Sequence, residues 1–392
     1  MPRVLRILNR FNLGGPTYNA SYLSKHLPSE YETLLIGGEK DESEASSLHI
    51  TDSLGLKPTI IKEMRRSVNF SKDRLAYKKI VQIIREFKPD IVHTHASKAG
   101  AIGRLAAINE NIPTIVHTYH GHVFHGYFNP IKTKVYKFIE TELAKRTHKI
   151  VAISNIQKQE LSLEHKICSP EKIKVIPLGF DLDRFQMNKD ENRKIYRGQY
   201  NLPDNKIAIG IIGRLVPIKN HQLFLKAINQ LKKSNSVSFQ AFIIGDGEER
   251  NHIESLANQL KLTFDNSPNS EVDIIFTSWI KDVDKALPGL DLIALTSKNE
   301  GTPVSLIEAQ AAEKAIVSTN VGGIENVVLP GESALLSELT DEDLFCQNLI
   351  KLCTNDSLRN EQCKRGKDFV FKNFHYNRLV ADTVELYENL LP

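Results

Sequence analysis

The sequence predicts an α/β protein made of two doubly wound parallel-sheet domains that face a common cleft. Three observations carry this. Short β-branched runs alternate with helical patterns along all 392 residues, the pattern of right-handed βαβ units. The runs fall into two series of five or six, which suits two sheets better than one very wide one. A polar stretch, 188–205, separates the two series.

In chain order, strands are expected at 4–8, 33–36, 91–93, 114–117, 150–153 and 174–176. The second series is expected at 207–212, 239–244, 273–276, 290–295 and 315–318. A last helix shows Leu379, Val380, Val384, Leu386, Tyr387, Leu390 and Leu391 at helical spacing, an apolar face that needs a cover. In open α/β sheets ligands bind beyond the carboxyl ends of the strands, so the functional residues are sought in strand-to-helix loops.

Composition excludes several classes. No apolar stretch approaches the roughly 18 residues of a membrane-spanning helix. The opening residues, Met1 to Arg10, are too basic for a secretory leader and read as a first strand. Cys168, Cys346, Cys353 and Cys363 form no C-x-x-C pair or other metal spacing. They are expected to be reduced thiols of a cytoplasmic protein. Charge is divided unevenly: residues 1–180 hold 27 Lys+Arg against 17 Asp+Glu, and residues 181–392 hold 24 against 30. The balances of +10 and −6 add to the formal +4. Ten basic and three acidic residues fall between Lys57 and Lys88, so the first half is the one expected to meet an anionic partner. An anionic membrane surface, a phosphate-bearing acceptor and nucleic acid all have the required charge.

The segment from Lys298 to Ala309 is the most informative. Glu300 lies in a strand-to-helix loop and Glu308 in the second turn of the helix that follows. Thr302 is expected to cap that helix, with Pro303 at its first position. The helix N-terminus between the two carboxylates is a seat for a phosphate, and the carboxylates suit hydroxyls on either side. Gly213, Arg214 and Lys219 follow the first strand of the second series. Arg supplies forked donors and Lys a point charge, which together grip a diphosphate. Gly245-Asp246-Gly247, with Arg250 close behind, ends the next strand and allows close backbone approach. It does not match the dinucleotide pattern G-x-G-x-x-G, which argues against a nicotinamide enzyme. Thr277 to Asp282, including Ile280, can offer backbone contacts to a base, and Trp279 reads as a packing residue.

In the first half, Gly14-Gly15 follows the first strand as a phosphate contact or a plain tight turn. His93, His95, His117, His120, His122 and His125 crowd one region. Their spacing lacks the geometry of a zinc site and no carboxylate or Cys assists, so no metal is expected. His120 is the best candidate to contact ligand. Lys98, after His95, either faces an acceptor or is solvated.

Taken together, these segments resemble the retaining glycosyltransferases of family 4 (GT4), which have the GT-B fold of two Rossmann-like domains. The resemblance covers nearly the whole chain and includes Val175 to Asp181, Glu300-Gly301-Thr302-Pro303, Glu308-Ala309 and Gly322-Gly323. It implies domains at 1–180 (acceptor) and 181–374 (nucleotide sugar), with a helix at 375–392 crossing back to the first. It assigns the donor diphosphate to Arg214 and Lys219, helped by Gly15 and Gly213. It places Glu300 and His120 at the transferred sugar and Glu308 at the ribose. Backbone N–H groups of Gly301, Thr302 and Val304 would hold sugar hydroxyls and phosphate, with Gly245, Arg250 and Ile280 also on the donor side. Gly14, His95 and Lys98 would lie on the acceptor side. Three positions depart from the family pattern: Glu313-Lys314-Ala315 replaces a Gly-x-Pro turn, Thr302 an aromatic, and Asn326 an acidic residue.

The implied activity is transfer of a hexose or N-acetylhexosamine from a nucleotide-diphosphate sugar to an acceptor hydroxyl, by a front-face route. The carrier expected is UDP and the acceptor a lipid-linked saccharide of surface polysaccharide. No metal cofactor is expected, because the cations can offset the leaving group's charge. Peripheral contact with an anionic membrane through the basic first domain is expected, at the inner face, and no nucleic acid partner. The alternatives are a nucleotide-sugar epimerase or hydrolase on the same fold, or a non-catalytic nucleotide- or RNA-binding protein.

Overall fold

The structure, a computed structural model, describes residues 1–12, 15–40, 46–65, 67–121, 130–268 and 271–391, without the side chains of 130–132. It divides into two compact units, Met1–Phe180 with Phe374–Pro392, and Asp181–Asn373.

The first unit begins with β1 (Arg3–Arg10), α1 (Gly15–His26), β2 (Glu32–Gly38), α2 (Leu48–Ser53) and β3 (Thr59–Ile60). Next come α3 (Phe70–Phe87), β4 (Ile91–His95), α4 (Ser97–Asn109) and β5 (Thr114–Tyr119). It continues with α5 (Pro130–Lys145), β6 (Lys149–Ala152), α6 (Asn155–Gln159) and β7 (Ile173–Val175). All seven strands are parallel, in the order β3-β2-β1-β4-β5-β6-β7. The order reverses between β1 and β4, which makes their carboxyl ends the switch point of the sheet.

The second unit runs through α7 (Lys189–Gln199), β8 (Ile207–Ile212), α8 (His221–Ser234), β9 (Phe239–Ile244) and α9 (Arg250–Gln259). Then come β10 (Phe264–Asp265), β11 (Ile274–Ser278), α10 (Val283–Ala286), β12 (Leu292–Leu295) and α11 (Val304–Ala311). β13 (Ala315–Thr319), β14 (Ala334–Ser337), α12 (Glu342–Thr354) and α13 (Asp356–Phe374) complete it. Its parallel sheet has the order β10-β11-β9-β8-β12-β13-β14, with the switch point between β8 and β12. The final helix, α14 (Tyr376–Glu388), belongs to the first unit.

Strand alternation sorts the first unit's core into two faces. Leu5, Ile7 and Val92 meet Ile80 and Ile84 of α3 on one side. Val4, Ile91 and Val116 meet Leu23 of α1 and Leu379, Leu386 and Tyr387 of α14 on the other. Burying each of those large side chains stabilises the docked α14 by roughly 1.5–3 kcal/mol. The segment ahead of Phe180 is stitched to the same helix: Arg378 donates to the carbonyls of Pro177 and Leu178, both at 2.7 Å. A Cβ on Gly179 would collide with Leu379. In the second unit one core packs Ile209, Ile243, Ile274 and Val317 of the sheet under Phe224, Ile228, Phe345 and Leu349.

Three edge strands, β3, β10 and β14, were not anticipated. The strand expected to end at His117 runs on to Tyr119, and the one expected from Leu290 starts at Leu292, after a 3₁₀ turn at Leu287–Gly289. At the Glu313 departure the residue takes φ 56°, a left-handed conformation that favours glycine. Two ion pairs hold it there, from Lys189 at 2.6 Å and Lys367 at 2.7 Å.

Candidate active site

The loops at the β8/β12 switch point are locked together through their backbones. Gly213 N–H donates to the Ile244 carbonyl at 3.0 Å and Leu215 N–H to that of Asp246 at 3.0 Å. Gly245 sits at φ 144°, and a Cβ there would strike the Gly213 carbonyl, so only glycine lets these two turns touch. Lys298 N–H reaches the Ile218 carbonyl at 2.8 Å, and Thr296 Oγ1 donates to that of Lys219 at 2.9 Å. Gly323 N–H donates to the Glu300 carbonyl at 2.9 Å, and a Cβ on Gly323 would strike the Gly301 carbonyl.

This scaffold brings together residues far apart in the chain. Lys219 Nζ lies 2.5 Å from Glu300 Oε1, with side-chain exposures of 20 % and 11 %. Ser297 Oγ donates to the same oxygen at 2.6 Å. The Arg214 side chain is exposed, with no hydrogen bond or ion pair to the described residues. A forked cation beside a backbone-lined glycine is therefore free for a ligand.

The capping expectation at α11 is corrected. Pro303, not Thr302, occupies the N-cap, no side chain caps it, and the helix starts at Val304. Proline's fixed φ and missing N–H suit that boundary as well. In the first turn of α11, Leu306 N–H donates to the Pro303 carbonyl at 3.1 Å, and the N–H groups of Val304 and Ser305, next to Gly301 and Thr302, have no intrahelical acceptor. Glu308, one turn further on, pairs with Arg184 at 3.2 Å. Burial pushes its carboxyl up to about 7; nearby Asp284 adds to the rise, and Arg184 opposes it.

Two other second-unit expectations change. Trp279 is not a packing residue: it is 59 % exposed, beside half-buried Ile280. The Arg250 guanidinium is committed within the protein, to Glu254 at 2.9 Å, Ser278 at 3.1 Å and Asn266 at 2.5 Å, above the Phe276 ring. It braces the turn that carries Ile280.

In the first unit, Gly15 opens α1 directly beyond β1, while Gly14, His122 and His125 lie outside the described residues. At the carboxyl ends of β4 and β5 the histidines form a chain. Arg6 donates to Tyr387 Oη at 3.2 Å, and the same hydroxyl shares a hydrogen bond with His93 Nδ1 at 2.6 Å. The other ring nitrogen, His93 Nε2, shares a hydrogen bond with Thr118 Oγ1 at 2.7 Å. His93 stacks on His95, whose Nδ1 lies 3.0 Å from His120 Nε2. Burial pushes all three rings below the ordinary histidine range, His120 to about 3, so they are neutral hydrogen-bonding groups. His95 Nε2 and His120 Nδ1 are buried without a partner among the described residues. Among the described residues no three His, Cys, Asp or Glu side chains are placed to hold a metal.

Lys98 is neither solvated nor turned to a ligand. Half-buried, it is held by Asp73 at 2.5 Å and by the carbonyls of Arg65 and Ser67 at 2.9 and 2.6 Å. Sequence reasoning did not reach Arg184, Ser297 or the Arg6–Tyr387 support of His93. Ser297 had a signal, being three residues before Glu300 in the same loop; the others are joined by tertiary contacts alone.

Two seven-stranded Rossmann-like units, one with cations, carboxylates and a free helix N-terminus at its switch point, define a glycosyltransferase of the GT-B fold. The first unit matches the family model described as Glycosyltransferase Family 4 over residues 13–184, and the second that of Glycosyl transferases group 1 over residues 192–369. The chain belongs to this GT4-type family of glycosyltransferases. It is 29% identical over 347 residues to the UDP-Gal:alpha-D-GlcNAc-diphosphoundecaprenol alpha-1,3-galactosyltransferase of Escherichia coli, covering 87% of each chain. To the capsular polysaccharide biosynthesis glycosyltransferase CapM of Staphylococcus aureus it is 25% identical, covering 84% of each. Among solved structures, a glycosyltransferase from Rickettsia africae superposes with a TM-score of 0.81 at 22% identity, over 100% of this chain and 98% of that one. Anabaena HepE in complex with UDP gives 0.80 at 17%, over 99% and 100%.

Proposed function

We propose that the protein transfers a hexose or N-acetylhexosamine from a UDP-linked sugar to a hydroxyl of a lipid-linked saccharide, with retention of anomeric configuration. The observation that carries this reading is the Lys219–Glu300 pair, with Lys219 against Gly213 and the exposed Arg214 next in the chain, in a unit whose α11 has no side-chain cap. In this reading Arg214 and Lys219 hold the donor diphosphate, with Gly213 and Gly245 letting it approach the backbone. Gly301, Thr302 and Val304 offer N–H groups, Glu300 orients the sugar, and Glu308 accepts the ribose hydroxyls. The turn braced by Arg250 presents Ile280 to the base. As the anomeric carbon–oxygen bond breaks, its electrons pass to the diphosphate, where the cations offset the charge. The acceptor oxygen bonds the same face of the sugar, and its proton moves to a β-phosphate oxygen. His120 and Gly15 are assigned to the sugar and diphosphate, and His95 and Gly14 to the acceptor side. No metal has a step. The Escherichia coli relative, named for a UDP-galactose donor and a diphosphoundecaprenol-linked acceptor, supports the choice of UDP and of a lipid-linked saccharide in surface polysaccharide synthesis.

The test is incubation with a panel of UDP-sugars, with and without a lipid-diphosphate-linked N-acetylglucosamine. The expected outcome is UDP release only when acceptor is present, a product heavier by one sugar in α linkage, and no effect of EDTA. Equal UDP release without acceptor would establish a hydrolase instead, and a β-linked product would refute retention. The correct donor at about 100 times its dissociation constant should also raise stability by about 2.7 kcal/mol.

A pH effect follows from Glu308. Its carboxyl, raised to about 7, binds a proton below that pH, whereas ribose hydroxyls need the ionised acceptor. The proton therefore competes with donor, and kcat/KM for the donor should fall as pH drops below about 7. Glu308→Gln should remove that inflection and raise donor KM by about ten- to a hundredfold, since hydrogen bonds to a charged group contribute about 1.5–3 kcal/mol. Arg184→Gln, which removes the cation opposing the rise, should move the inflection upward. A pH profile unchanged in Glu308→Gln would exclude this carboxylate from donor binding.

A further inference from the structure

We propose that the second unit carries an anion site apart from the donor site, between the N-termini of α8 and α9, for a phosphate that still bears a hydroxyl. β8 and β9 are parallel neighbours that lead into α8 and α9, so both helices start at the same end of the sheet. A cavity of about 190 Å³ opens there, room for about six waters at their liquid volume. Its polar walls are Asn220, His221 and Gln222 at the start of α8, Glu249 and His252 at the start of α9, and Lys298 after β12. None of the residues assigned to the donor lines it.

Neither helix is capped by a side chain. In α8, Leu223 N–H turns back to the Asn220 carbonyl at 3.1 Å, and the N–H groups of His221 and Gln222 have no intrahelical acceptor. His221 is the anomaly. It is only 4 % exposed, yet neither Nδ1 nor Nε2 has a partner among the described residues. A buried imidazole left unpaired costs stability, and a ligand in the cavity it lines offsets that cost. The other five side chains also make no hydrogen bond or ion pair to the described residues.

Charge and hydrogen-bond roles together narrow the ligand. Two helix N-termini and Lys298 favour an anion. Glu249, when ionised, can only accept. Burial, helped by Lys219, pushes the His221 ring down to about 4, so it is neutral and offers one donor and one acceptor. A bare oxyanion such as sulfate would leave Glu249 facing oxygen lone pairs. Inorganic phosphate, which keeps a P–OH at neutral pH, gives oxygens to the N–H groups and Lys298 and a hydrogen to Glu249. A phosphate ester of a small polyol offers the same pairing through its own hydroxyls. Binding here needs neither sugar donor nor acceptor, so this site and the transfer reading stand or fall separately.

The experiment is thermal unfolding of the full chain, at fixed ionic strength, with inorganic phosphate, glycerol phosphate or sulfate. Phosphate at about 100 times its dissociation constant should raise the melting temperature by roughly 5–10 °C, and sulfate should not. The larger of the phosphate and glycerol phosphate shifts tells whether free phosphate or an ester is the better occupant. His221→Leu should abolish the shift, and without phosphate it should melt no lower than the parent, because the unpaired nitrogens are gone. Lys298→Ala, at an exposed position, should weaken phosphate binding by about tenfold or more. Glu249→Gln should let sulfate match phosphate, since an amide can donate. Arg214→Ala, a change in the proposed donor site, should keep the phosphate shift. No shift with either phosphate, an equal shift with sulfate in the parent, or a shift retained in both His221→Leu and Lys298→Ala would overturn the proposal. So would loss of the shift in Arg214→Ala, which would put the phosphate in the donor site.

Discussion

Arg214→Ala should lower turnover at saturating donor by about 10²–10³-fold, the usual effect of removing one preorganised donor from a developing charge. The side chain is exposed and makes no hydrogen bond or ion pair within the described residues. Its loss therefore leaves no protein group unpaired, and the melting temperature should not move. That separation makes the variant informative: a fall in kcat without a fall in stability has to come from a group outside the protein. Arg214→Lys should recover only part of the loss, because a point charge cannot reproduce two parallel N–H bonds to a phosphate. The measurement is donor consumption with acceptor present, over a range of donor concentrations. Near-normal kcat in Arg214→Ala would remove Arg214 from the site.

The two sheets were legible because their central strands are buried on both faces and so are continuously apolar. The expected 207–212 and 239–244 coincide with β8 and β9. Of the edge strands, β7 was legible from its β-branched run, but β3 and β10, two residues each, are too short to show a period, and β14 was missed as well. Local rules also misplaced the cap of α11 by one residue, where Thr302 and Pro303 are both acceptable chemistries. Trp279 and Lys98 went astray for a common reason. Burial of a single aromatic or lysine depends on what tertiary structure sets beside it, and their neighbours lie on other elements. The same holds inside the site. Lys219 and Glu300 are 81 residues apart, and no spacing rule joins them; the reversal of strand order between β8 and β12 does.

That pair yields the second large effect. Lys219→Met should also reduce kcat by about 10²–10³-fold if Nζ moves between Glu300 and the departing diphosphate. It should lower stability as well, by roughly 1–3 kcal/mol, because it strips the cation from a carboxylate that is only 11 % exposed. Stability alone therefore cannot assign Lys219 a catalytic role, and a second substitution is needed to separate the two losses. Glu300→Gln keeps the shape and removes the charge, so in the double variant Lys219→Met/Glu300→Gln no bare carboxylate remains. Stability should return toward the parent, with a coupling of about 0.5–3 kcal/mol between residues in contact. Activity should not return, since neither the phosphate's cation nor the sugar's orienting carboxylate has been restored. Unfolding curves and kcat measured on the same four proteins resolve the question. If activity rose together with stability in the double variant, the ion pair would be a brace for the loops, and Arg214 would be left to hold the diphosphate without Lys219.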